Sequence, residues 1–342
     1  MTVCIGAPCL DHQQYPHIFD VIVAYASPSA LVALRGTSRS MRDRADALLF
    51  KHIVVRGTSR PVVAAPHGRL PGVDWDGQAV TPADRKLMCT RLAHARILDC
   101  HTKLDIAAVD APLAAALCNI QVVRRFEPTA PALPARKLVD FAFLTPSEGR
   151  HAHADSSISS PCDCPSTFTF DIPEGTSTSV TNVLYDPLRV PIHSFLQLGQ
   201  CPDTTHSVII YTARPEPSCT ASGKSSPAPS CGSDELPRLG MLYHLVEELA
   251  LRIGNAITAT GTSGGKHTLV GIDEMDHSLL AMPDSASAAE IHAAIVHAVQ
   301  EECSIFFPQS VAQHVPSALS FVSRADYAAQ QGWAAFVLES ML

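Results

Sequence analysis

The sequence predicts an α/β protein in which a small N-terminal helical module precedes an α/β body with a largely parallel sheet. Apolar residues recur at helical spacing over residues 15–52, which indicates several short helices. Beyond residue 90, short β-type runs alternate with longer helix-like stretches. Such alternation is typical of strand–helix–strand units and favours parallel strands.

The first predicted helix opens at Pro16, because proline fits the first turn of a helix, where its missing N–H costs nothing. Phe19, Ile22 and Val23 follow at spacings of three and four, with Ile18 beside them. These positions predict one apolar face along the helix.

Two more short helices complete the module. Ser27 followed by Pro28 is a helix start signal, and Leu31 and Leu34 continue that helix on one side. A third helix is predicted over residues 41–50. Three helices of this length cannot bury much surface alone, so we expect an apolar face to remain for a partner.

We divide the chain into a helical module at 12–55, an irregular connection rich in Gly and Pro at 56–90, and a body at 91–342. Flexible loops are predicted at 146–166 and 214–238, where Ser and Pro are frequent. The spacing of the strands is uneven, which leaves open an irregular sheet or a degenerate leucine-rich-repeat-like one. Strands are predicted at 96–98, 120–123, 138–141, 180–185, 208–211 and 268–272, and helices at 239–257 and 288–306.

Charge and composition exclude several classes of partner. The formal net charge is −8, which argues against nucleic acid or an anionic membrane as a partner, because phosphates attract basic surfaces. Residues 1–10 do not resemble a secretory signal, and no run approaches the ~20 apolar residues that span a bilayer. We therefore expect a cytoplasmic or nuclear protein whose eleven cysteines are reduced thiols.

Motifs for nucleophilic or dinucleotide chemistry are missing from the sequence, so we predict no enzyme activity and no cofactor. Residues 261–268 resemble a phosphate-binding loop, but His267 stands where Ser or Thr would hold magnesium. A helix is also predicted before this segment and a strand after it, which is the reverse of the required order. We interpret the segment as a glycine-terminated helix and a turn.

Two further clusters have alternative interpretations. Zinc could use the ligand types of His151, His153, Cys162 and Cys164, but their spacing is tighter than usual, and a chance grouping in a polar loop is favoured. The acidic segment from Asp273 to His277 follows a predicted strand, at the edge where α/β proteins bind ligands. A solvated turn is the favoured interpretation there, and His292 and His297 are assigned to a helix surface or the margin of the core.

Residues 15–42, YPHIFDVIVAYASPSALVALRGTSRSMR, resemble the F-box family. Pro16, the apolar first helix, the leucine-containing second helix and Ser38-Arg39 match the family pattern in order. The tail from Leu319 to Phe336, taken with this opening, is similar to F-box-like proteins of basidiomycete fungi.

The resemblance implies a substrate receptor that docks on a Skp1-type adaptor and presents an unknown protein client to a cullin ubiquitin ligase. The chemistry would then belong to other subunits. The residues implied in the adaptor contact are Pro16, Ile18, Phe19, Ile22, Leu31 and Leu34.

Two other hypotheses remain open at this point. The helical module could only complete the protein's own fold, as part of a non-catalytic scaffold. Alternatively, the body could be a ligand-binding protein or an enzyme with a site near Asp273–His277. Exposure of the first helix distinguishes the adaptor-docking hypothesis from the scaffold, and a deep pocket at the strand ends would favour the third hypothesis.

Overall fold

A computed structural model of the chain divides by its internal contacts into two compact units, Met1–Gln121 and Val122–Leu342, which are taken separately below. The structure describes residues 15–57, 62–66, 81–101, 115, 117–126, 133, 135–144, 168–170, 172–185, 196–198, 204–212, 243–260, 266–275, 277–280 and 282–340.

The first unit begins with three helices and continues into a small sheet. Strand β1 pairs antiparallel with β2 and parallel with β3. Phe50, Ile53, Val55, Leu92 and Leu98 are fully buried and belong to the core of this unit. The elements are α1 (Pro16–Ala24), α2 (Pro28–Leu34), α3 (Arg39–Leu49), β1 (His52–Arg56), β2 (Val62–Ala64), α4 (Pro82–Leu92) and β3 (Ile97–His101).

The segment 56–90, predicted as an irregular connection, contains β2 and most of α4. Helix α4 begins at Pro82, because proline is tolerated in the first turn of a helix. This proline therefore marks the start of a helix and does not interrupt one. The strand β1 begins within the stretch 12–55 that is predicted as a helical module, and it ends one residue beyond it.

The second unit contains a sheet of six strands, and every pairing within it is parallel. The order is β4-β5-β7-β9-β10-β11, so the strands of this sheet are arranged in their order along the chain. Strands β6 and β8 form a separate parallel pair. The strands are β4 (Val122–Arg125), β5 (Lys137–Leu144), β6 (Phe168–Phe170), β7 (Thr178–Tyr185), β8 (Leu196–Leu198), β9 (Thr205–Thr212), β10 (His267–Val270) and β11 (Leu319–Val322).

Helices follow the later strands of the second unit. The longest, α6, starts at a capping box. The backbone N–H of Glu290 donates to the side chain of Ser287, and the backbone N–H of Ser287 donates to the side chain of Glu290. The helices are α5 (Tyr243–Thr260), α6 (Ala288–Phe306), α7 (Gln309–Ala312), α8 (Val315–Ala318), α9 (Arg324–Gln331) and α10 (Trp333–Ser340).

Alternate side chains of the six-stranded sheet enter two different cores. Ala142, Val183 and Leu269 pack with the apolar faces of α5 and α6. Val139 and Ile209 point to the opposite face, where they pack with Tyr327 of α9 and Phe336 of α10. This unit is therefore a three-layer arrangement with helices on both faces of a parallel sheet.

The structure confirms the predicted α/β class, with an N-terminal helical region followed by mostly parallel strands and helices. Each of the six strand segments and both long helices predicted from the sequence overlaps an observed element of the same type. The flexible loops predicted at 146–166 and 214–238 lie outside the described residues.

Four cysteines in the described part of the chain are free thiols, and two of them, Cys100 and Cys303, are buried. Burial raises the pKa of the Cys303 thiol, which keeps it protonated and inert. Over the same described residues, no helix combines the length and apolar character needed to cross a bilayer.

Candidate functional site

Helix α1 buries little of its apolar surface. It starts with Pro16 in its first turn, and Val23 is its single residue classed as buried. Isoleucine and valine elsewhere on the helix are left facing solvent, with Val21 58% exposed and Ile22 47% exposed. A short helix with this exposure departs from the usual arrangement, in which the apolar face is turned inward.

The large exposed apolar residues of α1 and of the two positions that flank it lie on one side of the helix. At ~100° of rotation per residue they occupy an arc of about 120°, well separated from Val23 on the inward side. We call this set the α1 stripe, and it consists of Tyr15, Ile18, Val21, Ile22 and Tyr25.

Serine side chains begin the other two helices of the module. The backbone N–H of Ala30 donates to Ser27 Oγ at 3.3 Å, and that of Met41 donates to Ser38 Oγ at 3.2 Å. Because Ser38 is the N-cap, α3 starts at Arg39, two residues before the predicted start. Helix α2 packs on α3, where Leu31 and Met41 are buried.

The predicted adaptor-contact residues do not share one environment. Pro16, Ile18 and Ile22 are exposed, and Phe19 and Leu34 are half-buried. Leu31 is only 6% exposed, so its side chain contributes to packing within the first unit. The sequence-predicted face of α1 is thus divided, with Val23 inward and Ile18 and Ile22 outward.

A cluster of charged side chains connects the helices of the module to α4. The buried carboxylate of Asp46 in α3 forms an ion pair with Arg35 and a longer one with Arg91 of α4, at 3.7 Å. Burial and then the neighbouring Arg35 lower the pKa of Arg91, and Asp46 offsets part of this. The guanidinium of Arg91 also lies 5.9 Å from the ring centre of Phe50. These contacts join α3 to α4 and to the C-terminal end of α2.

The second unit has a cleft at the carboxyl ends of β10 and β11. It is an open depression of about 560 Å³ and not the deep pocket that would favour a ligand-binding protein or an enzyme. Asp273, singled out from the sequence, lies at this cleft, whereas Asp276 lies outside the described residues. We call it the strand-end cleft, and its lining consists of Asp273, Phe321, Val322, Ser323, Asp326, Ala329 and Gln330.

A histidine from α6 orients the carboxylate at this cleft. Nε2 of His292 lies 2.6 Å from Oδ1 of Asp273. The imidazole also stacks on Phe321, with ring centres 4.1 Å apart and planes 10° from parallel. Sequence reasoning placed His292 at a helix surface or core margin and missed this pair, because 19 residues separate the two partners.

Several charged groups are buried inside the second unit. Arg125 and Asp140 are almost fully buried and form two hydrogen bonds, at 2.6 and 3.0 Å. Arg252 donates to Nδ1 of His206 at 3.1 Å, and the imidazole of His206 stacks on His267. Burial lowers the pKa of Arg252 to about 10, although Glu248 opposes this change.

Glu339 of α10 is also buried in this unit. It pairs with Lys137 of β5, and its second carboxylate oxygen accepts from the hydroxyl of Tyr327 at 2.7 Å. The side-chain amide of Asn182 donates to the Glu339 backbone carbonyl at 2.7 Å. These contacts fasten α10 to the face of the sheet.

The two weaker motifs from the sequence are only partly covered by the structure. Residues 261–265 of the loop-like segment, and all four zinc candidates, lie outside the described residues. A helix does precede the loop-like segment and a strand does follow it. Within the described ranges, no group of three or more His, Cys, Asp or Glu side chains is placed to hold a metal ion.

Comparisons of the chain with protein-family models, with curated proteins and with solved structures found no match.

Proposed function

We propose that the helical module docks this protein on a Skp1-type adaptor, and that the protein serves as a substrate receptor of a cullin ubiquitin ligase. The observation that supports the docking step most directly is the α1 stripe. The module follows the F-box order of three short helices, which supports the same partner. The protein itself would supply no chemistry in this role.

Exposure of the α1 stripe distinguishes this proposal from the scaffold alternative. A helix that only completed its own fold would turn Ile18 and Ile22 inward, whereas both are more than a third exposed. Two tyrosines, Tyr15 and Tyr25, lie at the ends of the stripe. Exposed apolar and aromatic side chains in one continuous group are typical of a protein-binding surface.

The structure refines the set of residues proposed for the contact. Pro16, Ile18 and Ile22 are kept because they are exposed, and Val21 is added for the same reason. Leu31 and Leu34, together with Phe19, would support the shape of the surface instead. Full burial of an isoleucine contributes about 1.5–3 kcal/mol, so two such anchors would supply part of the free energy of the association.

Client recognition would belong to the second unit, whose parallel sheet and flanking helices form a stable platform. The client is an unidentified protein. Transfer of ubiquitin to it would be performed by other subunits of the ligase.

Calorimetric titration of the full chain with a fungal Skp1 homologue tests the docking step. We expect the wild type to bind and the variant Ile18→Asp/Ile22→Asp to bind at least 100-fold more weakly. Loss of two apolar anchors at about 1.5 kcal/mol each corresponds to a change of that size. These positions are preferred to Phe19 and Leu34, because substitution of half-buried residues would also disturb the module.

Ile305→Asp is the matched control, because this isoleucine of α6 is 70% exposed and lies outside the module. It should bind the adaptor as the wild type does. If the wild type fails to bind, or if the double variant binds equally well, the docking proposal is wrong and the scaffold alternative is favoured.

A further inference from the structure

We propose that His206, His267 and Arg252 form a pH-sensitive latch, and that protonation of the two histidines releases the start of β10 from β9 and α5 while the rest of the second unit stays folded. We call these three residues the histidine latch. The proposal concerns the second unit alone and does not depend on adaptor docking at α1.

The two histidines are neighbours on adjacent parallel strands. His206 is the second residue of β9, His267 is the first residue of β10, and the strand register pairs them. Their imidazole rings are stacked, with centres 5.0 Å apart and planes 8° from parallel. Each lies two residues before a core residue, Val208 or Leu269, so both side chains point to the face of the sheet that α5 covers. Both histidines are buried there.

The contact with Arg252 determines where a proton can bind. A guanidinium only donates hydrogen bonds, so Nδ1 of His206, which lies 3.1 Å from Nη1 of Arg252, has to keep its lone pair. His206 is therefore neutral in this arrangement, with its proton on Nε2. A second proton would have to bind at Nδ1, where it would face the N–H of Arg252. The observed contact and a protonated His206 thus exclude each other.

A proton on His267 is opposed by the same surroundings. Its Nδ1 has no hydrogen-bond partner among the described residues, so no acceptor would stabilise an N–H there. Burial, and then His206 and Arg252, keep the pKa of His267 well below its ordinary value. The latch therefore has no protonated form that keeps its closed geometry.

Two carboxylates lie near Arg252, and arginines engage both of them. Glu248 lies one helical turn before Arg252 and forms an ion pair with it at 3.5 Å. Asp140 of β5 also acts on Arg252, but it accepts two hydrogen bonds from Arg125. A protonated histidine would add positive charge to a cluster whose carboxylates already have cationic partners.

The other described elements around the latch present no charge to it. Ser179 of β7 and Leu319 of β11 flank the pair in register, and neither side chain titrates. Helix α8 contains no titratable residue. The buried residues of α6 are three aliphatic side chains and the protonated thiol of Cys303.

The position of the latch at the starts of the strands allows a local release. The backbone N–H of His206 donates to the carbonyl of Lys266 at 3.0 Å, directly before β10 begins, and Lys266 is exposed. Separation of the first residues of β10 would hydrate both imidazoles without opening the core at Leu269. A hydrated histidine binds a proton below a pH of about 6.5, so acid favours the released state.

Native-state hydrogen exchange of the full chain, measured by NMR at pH 7.5 and pH 5.5 in low urea, tests the latch. The reporter is the backbone amide at position 206, and the amide of buried Val183 in β7 reports on global opening. We expect the protection factor of the reporter to fall at least tenfold on acidification, because uptake of one proton at a pKa of about 6.5 has an effect of that size.

The urea dependence of exchange separates local release from global unfolding. At pH 5.5 the reporter should stay at least 100-fold less protected than Val183. Its exchange should also depend little on urea, because a local opening exposes little surface. The amide of Val183 should show the full urea dependence of global unfolding.

The double variant His206→Asn/His267→Gln removes both sites of protonation. Asparagine places an oxygen near the position of Nδ1, so Arg252 keeps an acceptor that does not titrate. We expect the reporter to change less than twofold between the two pH values in this variant. His314→Gln is the matched control, because His314 is an exposed histidine of the same unit, and it should behave as the wild type does.

If the double variant does not fold, the single variants His206→Asn and His267→Gln replace it, and at least one of them has to reduce the effect of acid. The proposal is overturned if the reporter keeps its protection at pH 5.5. It is also overturned if the reporter exchanges only together with Val183, or if the substitutions leave the effect of acid unchanged.

Discussion

Helix α1 of the first unit exposes hydrophobic side chains, whereas the core of the second unit encloses charged ones. Val21 and Ile22 are about half exposed, while the side chains of Arg125 and Asp140 are 1% and 2% exposed. Both arrangements have a free-energy cost. An exposed apolar side chain does not contribute the free energy that its burial would give. A buried charge loses its favourable hydration.

The two units differ in whether groups of the same chain compensate this cost. The two buried carboxylates of the second unit have internal partners, because Arg125 pairs with Asp140 and Lys137 pairs with Glu339. Such pairs restrict how strands and helices can pack. The α1 stripe has no comparable cover from the described residues, so its apolar surface would gain stabilisation from a partner that covers it.

The largest effect is expected from breaking the buried pair of the second unit. Arg125→Met leaves the Asp140 carboxylate buried without its partner. Burial already raises the pKa of Asp140, which shows how unfavourable its charged form is at that place. We expect the free energy of unfolding at pH 7 to fall by about 3–5 kcal/mol, measured by urea denaturation.

A matched control comes from the exposed ion pair of the first unit. Arg44 of α3 lies 2.5 Å from Asp20 of α1, and the two side chains are 33% and 64% exposed. Arg44→Met should change the free energy of unfolding by less than about 1 kcal/mol, as exposed pairs do. If Arg44→Met and Arg125→Met lowered the free energy of unfolding equally, the contrast between the two units would be wrong.

An intermediate effect is expected from the buried histidine pair. Burial, His206 and Arg252 together keep the pKa of His267 well below its ordinary value, and Nδ1 of His267 has no hydrogen-bond partner among the described residues. Below the unfolded-state pKa of about 6.5, the unfolded chain binds a proton that the folded protein excludes. Stability is therefore complete above that pH and falls by up to ~1.4 kcal/mol per pH unit below it.

Thermal unfolding measured between pH 7.5 and 5 checks this expectation. On acidification, the Tm of His267→Gln should fall by less than the Tm of the wild type. His297→Gln is the control, because the side chain of His297 is 69% exposed. An identical pH dependence of Tm in the wild type and in His267→Gln would show that another group dominates.

Regular periodicity made the main elements predictable from the sequence. Strands β7 and β9 and helix α6 coincide closely with predicted runs, because each is long and buried on at least one face. Strand β2 was missed because it has three residues, and α4 because Gly and Pro precede it. A short element between turn residues leaves little periodicity to detect.

The candidate sites were less predictable, since they depend on contacts between distant residues. Helical spacing identified Ile18, Ile22 and Val23 as apolar, but it could not tell which of them the rest of the unit would cover. The strand-end position of Asp273 was recognised from the sequence. Its pairing with His292 requires the packing of α6 against the sheet, which no local pattern encodes.

The smallest effect on stability is expected from the α1 stripe itself. Ile18→Asp/Ile22→Asp should change the free energy of unfolding by less than about 1 kcal/mol, because exposed side chains lose little on substitution. Leu31→Ala, at a position only 6% exposed, should cost about 2–4 kcal/mol in the same urea denaturation experiment. A loss above about 2 kcal/mol in the double variant would mean that part of this chain covers the stripe. A near-neutral result would show that the apolar surface of α1 has no structural role inside the protein, as the docking proposal requires.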